Sequence, residues 1–251
     1  FFATVFHLAQ TPSSVQWLSL ALSLFFLIVT TVLLVKDLDQ AQRFIYVLLR
    51  PQWKSWLVKG GYALTIYGAL LTLAAAAKFF NWPNVEIFAN WTAAAFAVIA
   101  AVYTAFLFAQ AKGRDFWQSP VLPLHMLVHA FMAGAAILAV CALFMTTPEA
   151  WMSHLRFTLY TSIIFNLIIL TVELLTPHPT ADAKATKHMI IAGRFGKTFW
   201  YGALLCGKAL PLKLLAFGGS LLSAIAGILV LLGIYLTEHI WVRAPQLLPL
   251  S

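Results

Sequence analysis

Apolar runs of about twenty residues, separated by short polar stretches, set the pattern of this chain. Seven runs can be drawn, at 14–35, 56–77, 90–110, 121–145, 154–176, 198–217 and 219–238. A helix rises 1.5 Å per residue, so about 20 residues cross the roughly 30 Å of bilayer hydrocarbon. The breaks are chemically sensible. Arg50-Pro51 precedes the second run, and Pro177 and Pro179 stop the fifth; proline lacks the N–H that would continue a helix. The sixth run is interrupted by Lys208 and Pro211. The opening FFATVFHLA starts at Phe1 and stays apolar almost to Pro12. It reads as the last turns of a truncated helix over 1–9. The pattern predicts an all-α, polytopic transmembrane helix bundle, with seven full spans plus this stub in a single domain over 1–251.

Composition agrees. The chain is 62% hydrophobic and 10% charged, with a mean hydropathy of +0.88, more apolar side chain than a soluble core absorbs. Nine Trp suit belts at the membrane interfaces. In a soluble protein a net charge of +8 would raise nucleic-acid binding. Here it points to basic loops on one membrane face, with lipid and no nucleic acid as partner. Cys141 and Cys206 each stand alone in an apolar run, so neither a disulfide nor a metal–thiolate site is expected.

Twelve Lys and Arg fall in the loops after the first, third and fifth spans and in the C-terminal tail, against four (Lys78, Arg156, Lys208 and Lys213) on the other side. The positive-inside rule then puts the first group in the cytoplasm. The same residues also read as a docking face for an acidic partner, with Arg43, Arg50, Lys54, Lys112 and Arg114 as its candidates.

Ionisable groups inside spans carry the chemistry. Each costs about 2.5–3.5 kcal/mol on insertion scales, so it tends to have a partner or a task. Glu173 lies about one turn inside the end of the fifth span, and Lys208 sits beside Pro211, where an ion pair between the two is one reading. His125 and His129 are four apart and share a helix face. Asp37, Tyr103, His125, His129, Glu173, Glu238, His239 and Arg243 all come near one end of their spans. That layer could supply the hydrogen bonds and proton path that a quinone headgroup needs. Tyr103, His125 and His129 are the candidate headgroup ligands. Asp37, Glu173, Lys208, His239 and Arg243 are the candidate proton-transfer groups. Two other readings stay open. A haem b between His residues of separate helices would make the chain a cytochrome, and Lys208 in a broken span suits a secondary transporter or proton channel.

Several stretches together carry a resemblance: DLDQAQRFIYVLLRPQWKSWLVKGG (37–61), YTAFLFAQAKGRDFWQSPVLPL (103–124), VELLTPH (172–178), FWYGALLCGKALPL (199–212) and VRAPQLLPLS (242–251). Over nearly its whole length the chain resembles the NrfD/PsrC family, the integral membrane subunits of polysulfide-reductase-like complexes and of alternative complex III. The resemblance implies an eight-helix fold and a bacterial inner-membrane location. It further implies a membrane anchor that handles menaquinone or ubiquinone without haem, in a respiratory oxidoreductase. Electrons would pass to or from a four-cluster ferredoxin-type iron–sulfur subunit, which serves a molybdopterin catalytic subunit or a multihaem cytochrome, and proton translocation is allowed. The family's tyrosine at the end of the fourth helix looks like Tyr103, and its late acidic residue in the sixth looks like Glu173. Ala105 stands where the family often has glycine.

Overall fold

The computed structural model describes residues 11–36, 49–177 and 180–249, all helices and connections with no strand among them. His7, Asp37 and Arg43 lie outside the described residues. In chain order the helices are α1 (Ser13–Lys36), α2 (Trp56–Phe79), α3 (Pro83–Ala109), α4 (Leu122–Cys141), α5 (Glu149–Leu175), α6 (Ala181–Ile191), α7 (Leu210–Phe217) and α8 (Ser220–Gln246). A 3-10 turn at Asp115–Gln118 precedes α4, and a second one at Ala142–Phe144 extends it. Among the described residues six helices, α1 to α5 and α8, are long and apolar enough to cross a membrane.

The expected sixth span, 198–217, has a different form. Residues Thr198–Ala209 are π-helical and hand over to the short α7 at Leu210. The physical cause is in the sequence: Pro211 has no N–H to offer the carbonyl four residues back, so the regular ladder cannot run through it. The Leu210 N–H instead reaches five residues back, to the Leu205 carbonyl. Gly218 (φ 74°) and Gly219 (φ 87°) then turn the chain into α8, a left-handed conformation that glycine adopts without a Cβ penalty.

The chain divides into two compact units, Phe1–Leu107 and Phe108–Ser251. In the first, Leu20 of α1, Tyr67, Leu71 and Ala74 of α2, and Ala89 and Ala93 of α3 form one core. The α2–α3 turn is tight, with Asn81 at φ 56°, a region Asn tolerates better than most side chains. At that end Lys78 pairs with Glu86 at 3.3 Å and also meets Gln16. At the other end Trp56 stacks on Phe106, with ring centroids 4.3 Å apart. The outward face of α1 remains apolar, with Phe25, Ile28, Val32 and Leu33 exposed, as expected where the surrounding solvent is lipid.

The second unit is built around α8. Water cannot drive helices together inside a bilayer, so close packing of small residues does it. A Cβ on Gly227 of α8 would fall 2.6 Å from the Ala136 carbonyl oxygen of α4. Gly233 of α8 and Gly207 of the π-helical segment face each other so closely that a Cβ on either would overlap the Cα of the other. These approaches hold α4 and the π-helical segment against α8. Gly227→Val and Gly233→Val should each lower stability by about 1–3 kcal/mol through overpacking. Gly134→Ala should be neutral, because nothing lies within 4 Å of its Cβ position. Thermal unfolding in detergent measures all three, and equal melting of Gly134→Ala and the valine variants would refute the packing account.

Candidate functional site

At the end of the second unit where α4 begins and α5 and α8 finish, side chains from three helices join in one buried chain. The Trp241 Nε1–H of α8 donates to Glu173 Oε1 of α5 at 3.0 Å. Glu173 Oε2 lies 3.0 Å from His125 Nδ1 of α4. His125 Nε2 lies 3.2 Å from His129 Nε2, one turn along the same helix. His129 Nδ1 lies 2.5 Å from Glu238 Oε1 of α8. Helical periodicity explains the set: residues four apart on α4 face the same way, and Glu238 and Trp241, three apart on α8, do too.

Burial is nearly complete at one end and partial at the other. The side chains of His125 and Glu173 are each 1% exposed, whereas that of Glu238 is 30% exposed. A buried carboxylate is tolerable only when its lone pairs are occupied, and both Glu173 oxygens are. Two rings add walls: Trp241 lies edge-on to His125, with centroids 5.5 Å apart, and Phe116 packs edge-on against Trp241.

Lys208 is fully buried beside this chain. Its ammonium donates to Thr237 Oγ1 at 3.1 Å and to the Ala203 carbonyl at 3.4 Å, and Thr237 in turn donates to the Gly233 carbonyl at 2.7 Å. The Gly207–Gly233 contact sets this up, since Lys208 follows the first glycine and Thr237 stands one turn beyond the second. Thr237, which accepts from Lys208, is followed directly by Glu238. The alternative pairing with Glu173 is not formed, because Glu173 is engaged by His125 and Trp241.

The loop before α4 closes the end of α8. Pro245 lies inside α8, so the Trp241 carbonyl four residues back loses its usual N–H partner. The Trp117 indole N–H fills that place at 2.9 Å. Arg114 Nη1 donates to the Pro245 carbonyl at 2.8 Å and to the Leu248 carbonyl at 2.7 Å, satisfying carbonyls that every helix C-terminus leaves open.

The other sequence candidates are distributed differently. Tyr103 belongs to the first unit, buried with its ring against Gly60, and Ala105 beside it is buried as well. His239 is exposed and packs its ring near Phe195 and Tyr235. Arg243, Arg50, Lys54 and Lys112 are exposed, while Arg114 is engaged as described. The sequence pattern puts Glu238 in the polar layer but not among the site candidates, and it does not single out Trp241 or Thr237. The i, i+4 pair Thr237–Trp241, bracketing Glu238, was the available signal. Asn166, two turns before Glu173 on α5, is fully buried with both amide atoms unpaired.

Donor atoms of His125, His129 and Glu238 lie within 4.8 Å of one another. Within this set His129 and Glu238 are also in direct hydrogen-bond contact.

Six long apolar helices among the described residues define a multi-pass membrane protein. The family model for polysulphide reductase NrfD matches residues 1–248, and the chain belongs to that family. It is therefore a membrane protein of the kind that serves redox complexes. No curated protein matches the chain.

Trp117→Phe should cost about 1–3 kcal/mol by orphaning the Trp241 carbonyl. Adding Pro245→Ala should return most of that loss, because the new N–H can bond the carbonyl itself. A double-mutant cycle on thermal unfolding reads the coupling, and strictly additive losses would remove the indole from this role.

Proposed function

We propose that the chain is the quinone-interacting membrane anchor of a respiratory oxidoreductase in the bacterial inner membrane. Its fold would be the family's eight-helix form, with the segment 198–217 serving as a broken span. The observation that carries the reading is the buried chain from Glu173 through His125 and His129 to Glu238. A hydroquinone loses two electrons and two protons on oxidation. The protons need a base inside the bilayer and a route from it, and imidazoles bonded to carboxylates supply both. In this reading Glu238, at the partly exposed end, takes a proton from the headgroup or its bound water and shares it with His129. The electrons go to the four-cluster iron–sulfur subunit that the family resemblance implies, and from there to a molybdopterin subunit or a multihaem cytochrome. Menaquinone or ubiquinone is the ligand class, and reduction of a quinone is the same path reversed. Exposed Arg50, Lys54 and Lys112 remain candidates for contact with that partner.

In the purified complex, His129→Asn should lower quinol turnover on the order of 10²-fold, the scale of a lost acid–base group, while the iron–sulfur subunit still co-purifies. Turnover within twofold of wild type would remove His129 from the chemistry. Tyr103 enters through the resemblance, and Tyr103→Phe tests it separately: slower quinol turnover with intact assembly is expected. A transporter reading draws on the π-helical segment with its buried Lys208. Solute uptake by the chain alone in liposomes, with no quinone bound, would favour it.

A further inference from the structure

Counting protons along the buried chain gives a result that its residue types do not. The three contacts Glu173–His125, His125–His129 and His129–Glu238 are all at hydrogen-bond distance, and each needs one proton between its two heavy atoms. Two neutral imidazoles and two carboxylates carry only two. Both of those protons are claimed by the Nδ1 contacts, because a carboxylate can only accept. The two Nε2 atoms would then face each other at 3.2 Å as bare lone pairs, buried where no water relieves the repulsion.

The geometry points to a third proton resident in this chain, shared among its four groups and exchanged through Glu238 alone. Three protons on two imidazoles and two carboxylates leave a net charge of −1. Lys208, fully buried and bonded to Thr237, the residue before Glu238, supplies +1, so the group is neutral as a whole. With only two protons it would be −2 against +1, an uncompensated charge in a low-dielectric interior. The titratable and charged groups facing the chain among the described residues are thus the two histidines of α4, Glu173 of α5, Glu238 of α8 and Lys208 of the π-helical segment.

The two ends differ. At Glu173 the second oxygen is held by the Trp241 indole N–H, which does not give up its proton, and the side chain is 1% exposed. At Glu238 the side chain is 30% exposed. Two protons can instead sit on His125 Nδ1 and His129 Nε2, which leaves the His129 Nδ1–Glu238 contact empty. A proton arriving at Glu238 fills that contact and is then shared along the three bonds, so one proton has entered and none has left. Release is the reverse, by the same door. The chain is a blind-ended proton store, not a channel. This count is independent of whether quinol reacts here.

The test is solid-state NMR of the full chain in lipid bilayers with ¹⁵N-labelled histidine, assigned with His125→Gln and His129→Gln. We expect protonated Nδ1 on both rings and one proton coupled to both Nε2 atoms. Two bare Nε2 atoms, or a stoichiometric metal ion bound between them in the purified chain, would overturn the proposal. Glu238→Gln gives a second reading. The Gln amide can donate to His129 Nδ1, so the three bonds need only the two ring protons. His129 should then switch to the Nε2–H tautomer with both rings neutral; an unchanged pattern would count against the shared proton. Proton flux through liposomes above protein-free vesicles, abolished by Glu238→Gln, would overturn the closed end. Flux no greater than in empty vesicles is expected.

Discussion

Hydrocarbon offers no hydrogen bonds, so a polar group buried in a membrane helix is costly unless it finds a partner within the protein. The second unit is shaped by that demand. Glu173 fills both oxygens, His125 both ring nitrogens, and Lys208 reaches two oxygens although it sits at the middle of a segment that would otherwise be a plain span. Each bond fixes the position of one helix relative to another. Polar chemistry and helix packing are therefore the same arrangement seen at two scales.

Helix α8 is where the two scales meet. One stretch of it carries Gly227 against α4 and Gly233 against the π-helical segment. The turns that follow carry Thr237, Glu238 and Trp241, which contact Lys208, His129 and Glu173 in that order. The glycines set the distance between helices, and that distance decides which side chains can touch. A methyl group at Gly233 would displace the backbone on which Thr237 stands, so a residue with no side chain governs the placement of the hydroxyl, four residues on, that holds a buried cation.

Much of this was readable in the sequence, and the limits have physical reasons. Run length and composition give the six long helices because the bilayer imposes one length on all of them. The face shared by His125 and His129 follows from helical period alone. The partners of those rings do not, since whether Glu173 or Glu238 meets a given imidazole depends on helix rotation and close approach, which depend in turn on glycines scattered through apolar runs. Lys208 and Glu173 could be paired on charge, yet packing assigned Lys208 to Thr237 and left Glu173 to an indole. The sixth run was legible as interrupted, but Pro211 alone does not distinguish a kink from a π-helical stretch. Trp117 and Arg114 read as interface and docking residues because nothing in the sequence says that Pro245 would leave a carbonyl for one to fill and the helix end carbonyls for the other.

That last connection makes the loop before α4 more than a link between spans. Arg114 and Trp117 grip α8 at Trp241, Pro245 and Leu248, three positions along one side of its final turns. The same Trp241 holds Glu173 with its indole. The loop and the sealed end of the histidine chain thus meet at a single tryptophan, donor on its ring and acceptor on its backbone.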